Sequence, residues 1–176
     1  LVIGLLSILF GILYTGGPYP LGYNGLADIF VLIFFGPVAV GGTYYVQALD
    51  INYIVILAGL APGFIATALL TVNNLRDIQT DREAGKRTLA VRFGATFARM
   101  EYLLSILIAC LLPVGLVLLT RGNYYSIIAL GSFLFALPGI KIVFQKKGGA
   151  PLNLALANTG KMILIYSVFF SIGWVI

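Results

Sequence analysis

Apolar residues occupy long, continuous stretches of the chain, and short polar segments separate them. Six stretches approach the length of a membrane-crossing helix: residues 1–14, 28–46, 51–72, 102–119, 124–144 and 162–176. A helix needs about 20 apolar residues to cross the hydrocarbon core of a bilayer, and all but the first and last stretches come close to that. The pattern therefore predicts an all-α fold, a multi-pass transmembrane helical bundle with six spans. Because the first stretch is short and begins at Leu1 without an initiator Met, we expect the chain to start inside a helix of a longer protein.

The composition supports a membrane location. The chain has 176 residues, of which 60% are hydrophobic and 10% are charged, and it contains no histidine. Soluble domains have roughly a quarter charged residues, so soluble nucleic-acid binders are excluded. Without histidine, the commonest general base and zinc ligand is also absent. Any chemistry must use carboxylates, cations and hydroxyls.

The basic residues are distributed unevenly between the two sides of the predicted bundle. Ten of the eleven lie in or beside the third and fifth connections: Arg76, Arg82, Lys86, Arg87, Arg92, Arg99, Lys141, Lys146, Lys147 and Lys161. Only Arg121 lies on the other side. Since cytoplasmic loops of membrane proteins are enriched in Lys and Arg, we expect this face to be cytoplasmic.

The third connection, residues 73–101, carries the most informative polar residues. If the preceding helix continues past the membrane surface, Asn73, Asp77 and Asp81 share one helix face, because they are spaced four residues apart. Two carboxylates and an amide oxygen suit Mg²⁺, which typically joins one or two carboxylates to the phosphates of a substrate. The spacing therefore predicts a magnesium and diphosphate site.

Cations follow these oxygen donors closely. Lys86 and Arg87 come after a turn at Gly85, and Arg76 and Arg82 lie in the same segment. Such side chains neutralise phosphate oxygens that a metal does not bind. The alternative is a solvated loop whose charges serve only solubility and orientation.

Two blocks of sequence resemble a known family. Residues 73–77 and 81–94 look like the second aspartate-rich motif of the UbiA superfamily of intramembrane aromatic prenyltransferases. Residues 14–18 and 22–36, ending near 45–47, form the second block. Within the superfamily the chain most resembles the menaquinone-pathway branch, whose members prenylate 1,4-dihydroxy-2-naphthoate.

The resemblance has consequences for the fold. Family members have nine transmembrane helices, and the six stretches resemble helices 4 to 9, so residues 1–176 form a single transmembrane prenyltransferase domain in which 73–101 is a cytoplasmic loop. The family's first motif, N-x-x-x-D-x-x-x-D, is missing, and neither Asp28, Asp50 nor Glu101 replaces it. We therefore expect the chain to be inactive without the missing N-terminal helices.

The resemblance also implies an activity. Mg²⁺ holds a polyprenyl diphosphate, the allylic carbon–oxygen bond ionises, and an aromatic acceptor attacks the cation. It implies a bacterial inner-membrane enzyme whose active site faces the cytoplasm. The implied residues are Asp77 and Asp81 as catalytic metal ligands, and Asn73, Arg76, Lys86 and Arg87 for the diphosphate. Tyr14 is expected either to steady the cation or to anchor its helix at the membrane interface, and Asp28 either to serve the acceptor or to favour a helix N-terminus.

Other functions remain open. A different UbiA-type enzyme would use 4-hydroxybenzoate or homogentisate as acceptor. A CDP-alcohol phosphotransferase would show the pattern D-x-x-D-G-x-x-A-R, which does not occur. A non-enzymatic transporter or assembly protein would use the basic loops to bind anionic lipid headgroups, and its function would depend on charge, not on aspartate spacing.

Overall fold

The computed structural model describes residues 2–145 and 149–176. Lys146 and Lys147 of the predicted basic cluster, and Leu1, lie outside the described residues. The α-helices are α1 (Val2–Thr15), α2 (Ala27–Ile33), α3 (Ala39–Ala48), α4 (Tyr53–Arg76), α5 (Ile78–Glu83), α6 (Leu89–Thr120), α7 (Phe133–Gln145) and α8 (Pro151–Val175). Two 3₁₀ segments (Leu21–Tyr23 and Tyr124–Ser132) and one π-helical segment (Phe34–Val38) connect some of them.

Five helical segments are long and apolar enough to cross a membrane: Ala27–Ala48, Tyr53–Arg76, Leu89–Thr120, Tyr124–Gln145 and Pro151–Val175. The helix in the first predicted stretch, α1, is apolar but shorter. No strand occurs in the part of the chain that the structure describes. The predicted all-α multi-pass bundle is confirmed.

Two helices begin well before the apolar stretches that predicted them. Helix α6 begins at Leu89 instead of residue 102, because Thr88 caps it: the Thr88 hydroxyl accepts a hydrogen bond from the Val91 backbone N–H at 3.3 Å. Helix α8 begins at Pro151 instead of residue 162. Proline suits a first helical turn because its missing N–H is not needed there.

These boundaries change where several charges lie. The predicted connection 73–101 contains α5 and the first turns of α6, which bends at Gly94 (φ 86°). Glu101 therefore lies within α6, and Lys161 lies within α8. Apolar length alone underestimated both helices, since polar residues near a helix end still have helical backbone.

Helix α4 lies at the centre of the bundle, where it packs against α2, α3, α6 and α8. The fully buried side chains of its core are Ala61, Ile65, Ala68 and Val72. The Tyr102 hydroxyl of α6 and the Thr159 hydroxyl of α8 hydrogen-bond at 3.0 Å, which satisfies two buried polar groups between neighbouring helices.

Glycines allow the span Ala27–Ala48 to pack closely against α4. Gly36 interrupts the helical backbone of that span (φ −105°, ψ −109°), immediately before Pro37. A Cβ added at Gly63 would lie 2.5 Å from the Leu32 carbonyl oxygen and 3.0 Å from the Gly36 Cα. The two backbones are therefore too close to accept a side chain, as in other small-residue crossings in membranes.

Gly63→Ala is expected to lower the free energy of unfolding by about 1–3 kcal/mol, because the new methyl group must push two backbones apart. Thermal unfolding in detergent micelles measures the change. The matched control is Gly160→Ala in α8, where an added Cβ meets nothing within 4 Å. Equal unfolding temperatures for the two variants would contradict the close crossing.

Candidate active site

A cavity of about 260 Å³ lies at the end of α4. Its wall combines residues from four parts of the chain. The lining residues are Tyr14, Thr15, Gly22, Tyr23, Leu70, Asn73, Asn74, Asp77, Asp81, Lys86 and Thr88. The cavity thus has aromatic and apolar surface from Tyr14, Tyr23 and Leu70. Its oxygen donors come from the end of α4 and from α5.

The three predicted oxygen donors all line this cavity, although the helix is interrupted between them. Helix α4 ends at Arg76, and Asp77 has a non-helical backbone (φ −102°, ψ 11°) before α5 begins. The Asp77 N–H still donates to the Asn73 carbonyl at 3.1 Å, and the Asp81 N–H donates to the Asp77 carbonyl at 2.8 Å. These bonds preserve the four-residue spacing across the break.

Arg76 holds the carboxylate of Asp77 in place. Its Nε and Nη2 atoms donate to the two Asp77 oxygens at 2.7 and 2.6 Å, and Nη2 also donates to the Asn73 Oδ1 at 2.8 Å. Its Nη1 donates to the Asn153 Oδ1 at 2.8 Å, which ties α4 to α8. The bidentate guanidinium keeps the pKa of the Asp77 carboxyl below its ordinary value.

Lys86 pairs with the second aspartate. Its Nζ donates to the Asp81 Oδ1 at 2.8 Å and lies 5.3 Å from the centre of the Tyr23 ring. The hydrogen bond to Asp81 raises the pKa of the Lys86 amine above its ordinary value. Gly85 (φ 74°) makes the turn that brings the ammonium back to Asp81, as the sequence predicts. Asp81 itself is only 6% exposed, so this pair is partly shielded from water.

The segment after α1 closes one side of the cavity. The Arg87 backbone N–H donates to the Tyr23 carbonyl at 2.7 Å, and the Arg92 Nη2 donates to the Asn24 carbonyl at 2.8 Å. Gly25 (φ 72°) lies so close that an added Cβ would be 2.8 Å from the Arg87 carbonyl oxygen. The two blocks of sequence that resemble one family are therefore in contact in the fold.

The predicted site residues divide into three groups. Tyr14, Asn73, Asp77, Asp81 and Lys86 line the cavity. Arg76 is not in the lining, but its guanidinium is hydrogen-bonded to two lining residues, Asn73 and Asp77. Arg87 has an exposed side chain, and Asp28 is buried at the start of α2, so neither contributes to the wall.

Sequence reasoning missed seven residues at or beside the cavity: Thr15, Gly22, Tyr23, Leu70, Asn74, Thr88 and Asn153. A threonine three residues before a helical N–H is a capping signal, and it could have identified Thr88. Tyr23 falls in the resembling block. Asn74 falls in the other resembling block, residues 73–77. Nothing in the local sequence singles out Asn153, because its hydrogen bond to Arg76 depends on how α4 and α8 pack.

The oxygen donors fit a hard divalent cation. Two carboxylates and one amide oxygen face one cavity, which matches the partial protein shell that Mg²⁺ takes when a substrate phosphate completes its coordination. No group of three or more His, Cys, Asp or Glu side chains suited to a metal occurs in residues 2–145 and 149–176. Any metal here would need ligands from outside this part of the chain, such as diphosphate oxygens and water.

The fold and the cavity define a class: a multi-pass helical membrane protein with acidic and basic side chains lining a cavity at the end of a spanning helix. The family model described as "UbiA prenyltransferase family" matches residues 1–174. The chain belongs to this family. No solved structure matches it.

Two bacterial relatives are each named 1,4-dihydroxy-2-naphthoate octaprenyltransferase. The chain is 39% identical to the Haemophilus influenzae protein over 99% of the chain and 56% of the relative. It is 40% identical to the Escherichia coli protein over 98% of the chain and 56% of the relative. The mouse UbiA prenyltransferase domain-containing protein 1 is 31% identical over 92% of the chain and 46% of that protein. The chain therefore spans about half the length of these relatives.

Gly85→Ala is expected to weaken the Lys86–Asp81 pair. The αL backbone at residue 85 costs a residue with a Cβ about 1–2 kcal/mol, although an added Cβ meets no atom within 4 Å. Thermal unfolding in micelles measures the loss. Gly85→Asn is the control, since asparagine tolerates this conformation better. Equal drops in unfolding temperature for Gly85→Ala and Gly85→Asn would show that the αL backbone at residue 85 is not the cause of the loss.

Proposed function

We propose that this chain supplies the second metal and diphosphate site of an enzyme that transfers a polyprenyl group from polyprenyl diphosphate to 1,4-dihydroxy-2-naphthoate in menaquinone biosynthesis. The observation that carries the proposal is the convergence of Asn73, Asp77, Asp81 and Lys86 on one cavity at a helix end. Two bacterial relatives named for this activity support the choice of reaction.

The oxygen donors would hold Mg²⁺ together with the diphosphate. Bound there, the metal supplies electrostatic stabilisation of the charge that develops on the departing diphosphate. Asp77 and Asp81 are the proposed ligands, assisted by the Asn73 amide oxygen. Because the site contains only two carboxylates, a second carboxylate motif from the rest of the full-length protein completes the proposed cluster.

The cations bind the remaining diphosphate oxygens in this proposal. The Lys86 ammonium is already in the cavity, 2.8 Å from Asp81. Arg76 is hydrogen-bonded to Asp77, and the exposed Arg87 follows Lys86 in the sequence. In this proposal both arginines form the cationic rim of the site. A cationic rim also fits a cytoplasmic active site in a bacterial inner membrane, where Lys and Arg are enriched.

The apolar part of the site receives the organic groups. Tyr14 and Leu70 both line the cavity. In this proposal the Tyr14 ring stabilises the allylic cation as it separates from the diphosphate. The helices that surround α4 present apolar side chains to the bilayer, in which a polyprenyl chain is soluble. The naphthoate acceptor approaches from the apolar side of the cavity, opposite the charged rim.

Asp77→Asn and Asp81→Asn are each expected to lower Mg²⁺-dependent prenyl transfer by at least about 10²-fold, because each removes a charged ligand from the diphosphate site. The assay uses membranes containing this chain fused behind the segment that precedes the matching region in the Haemophilus influenzae relative. Prenylated naphthoate is measured by mass spectrometry.

Asp50→Asn is the matched control, since Asp50 is exposed and precedes the end of α4 that lies opposite the cavity. The chain without the added segment is expected to show no transfer. Full activity of both aspartate variants would overturn the metal-ligand assignment. Metal-independent transport without any prenylated product would favour the non-enzymatic alternative, and product from 4-hydroxybenzoate or homogentisate alone would change the acceptor.

Lys86→Gln and Arg87→Gln are expected to differ. Losing a charge-assisted hydrogen bond costs about 1.5–3 kcal/mol, so Lys86→Gln should weaken Mg²⁺-diphosphate binding by about ten- to a hundredfold. Arg87→Gln should weaken it less, because that side chain is solvated on the rim. Isothermal titration of the fused protein with magnesium diphosphate measures both. An equal loss of affinity in the two variants would indicate that the Arg87 side chain contacts the diphosphate.

A further inference from the structure

The Arg76 guanidinium is held by side chains on two of its edges. Its side edge, formed by Nε and Nη2, donates to the two oxygens of Asp77 at 2.7 and 2.6 Å. Its end edge, formed by Nη2 and Nη1, donates to the Asn73 Oδ1 and the Asn153 Oδ1, both at 2.8 Å. A guanidinium has about five N–H donors, so one N–H on Nη1 is left for a phosphate oxygen. These bonds fix the orientation of the guanidinium plane.

Asn153 is the partner of Arg76 that lies outside the aspartate motif. It follows Arg76 by 77 residues, in the first turn of α8. The backbone around it is anchored, since Leu152 is fully buried and its N–H donates to the Gly149 carbonyl at 3.0 Å. The Asn153 N–H donates to the Ala150 carbonyl at 3.0 Å. The position of the Asn153 amide therefore follows from how α8 packs against α4.

The ion pair between Arg76 and Asp77 needs this support. The two side chains are 27% and 31% exposed, so water reaches the pair. An exposed ion pair contributes little by itself, because a long, flexible side chain must be ordered to hold one geometry. The two hydrogen bonds of the end edge, one of them to Asn153, supply that order.

The arginine leaves Asp77 able to bind a cation. A carboxylate offers about four acceptor positions on its two oxygens, and the Arg76 side edge occupies one on each oxygen. Asn73 and Asp77 both line the cavity, whereas Arg76 and Asn153 are not in the lining. Arg76 thus binds two oxygen donors of the cavity, and Asn153 binds Arg76. Outer partners of this kind orient the ligands of metal sites.

We propose that Asn153 is a positioning residue for the metal and diphosphate site. It orients the Arg76 guanidinium, which in turn holds the Asp77 carboxylate and the Asn73 amide oxygen in the arrangement that accepts Mg²⁺. This inference rests on the proposed function. Helix α8 thereby contributes to the site, although the lining residues all precede it in the chain. A residue that only joined α4 to α8 would affect stability and not the affinity of the site.

A double-mutant cycle in the fused protein tests whether Asn153 acts through Arg76. Because Asn153 is exposed, Asn153→Ala leaves no buried cavity. Isothermal titration with magnesium diphosphate should show about tenfold weaker binding, as for a lost outer partner of a metal ligand. In the Arg76→Gln background the same substitution should change the affinity by less than about twofold, because the residue that it positions is gone. Equal losses in both backgrounds, or no loss in either, would overturn the positioning role.

Asn158→Ala is the matched control. It makes the same substitution on the same helix, and Asn158 is not among the residues to which the Arg76 guanidinium donates. Its affinity for magnesium diphosphate should equal that of the unsubstituted fused protein. A tenfold loss in this variant as well would show that α8 acts through general packing, which would also overturn the role of Asn153.

A second measurement separates this inference from the proposed function. NMR spectroscopy of the chain in micelles, with isotopically labelled arginine, measures how fast the Arg76 Nε–H exchanges with water, and Arg76→Gln identifies its signal. Exchange should be about fivefold faster in Asn153→Ala, which loses one hydrogen bond, and unchanged in Asn153→Asp, which keeps the acceptor oxygen. Unchanged exchange in Asn153→Ala would overturn the inference. Faster exchange in a protein whose fused form binds no magnesium diphosphate would support the orienting contact and contradict the proposed function.

Discussion

The position at which α4 ends determines the rest of the candidate site. Its apolar residues must cross the bilayer, and its polar residues must follow where water and headgroups begin, because unpaired charges are costly in hydrocarbon. Asp77 falls at that boundary. The N–H groups of Asp77 and Asp81 still bond four residues back, so the change from α4 to α5 does not disperse the oxygen donors. A break without those bonds would turn Asp81 away from the cavity.

The pairing of each aspartate with its own cation follows from the same boundary. Asp77 is bound by Arg76, and Asp81 by Lys86, at distances of 2.6–2.8 Å. The Arg76 guanidinium holds the pKa of the Asp77 carboxyl below its ordinary value, and the Lys86 ammonium lies against the Asp81 carboxylate. In the proposed function, Asp77 and Asp81 would hold Mg²⁺, and the cations would bind phosphate oxygens. The positive and negative charges of the site would then remain balanced.

The sequence predicted this arrangement in part. Asn73, Asp77 and Asp81 were recognisable from their spacing, because helix geometry alone places such residues on one face. The starts of α6 and α8 were predicted more than ten residues late, since hydropathy does not register a helix that continues beyond the membrane. That error placed Glu101 at a helix start. Which side of α6 packs against α4 depends on tertiary contacts, which the local sequence pattern does not encode.

The acidic residues of this fold differ in how the cost of burying charge is met. Asp77 and Asp81 have cations beside them and lie where the chain leaves the spanning segment. Asp28 is buried at the start of α2, and neither of its carboxyl oxygens has a hydrogen-bond partner among the described residues. Because a buried carboxyl without partners is costly, the packing of α2 against α4 must offset that cost.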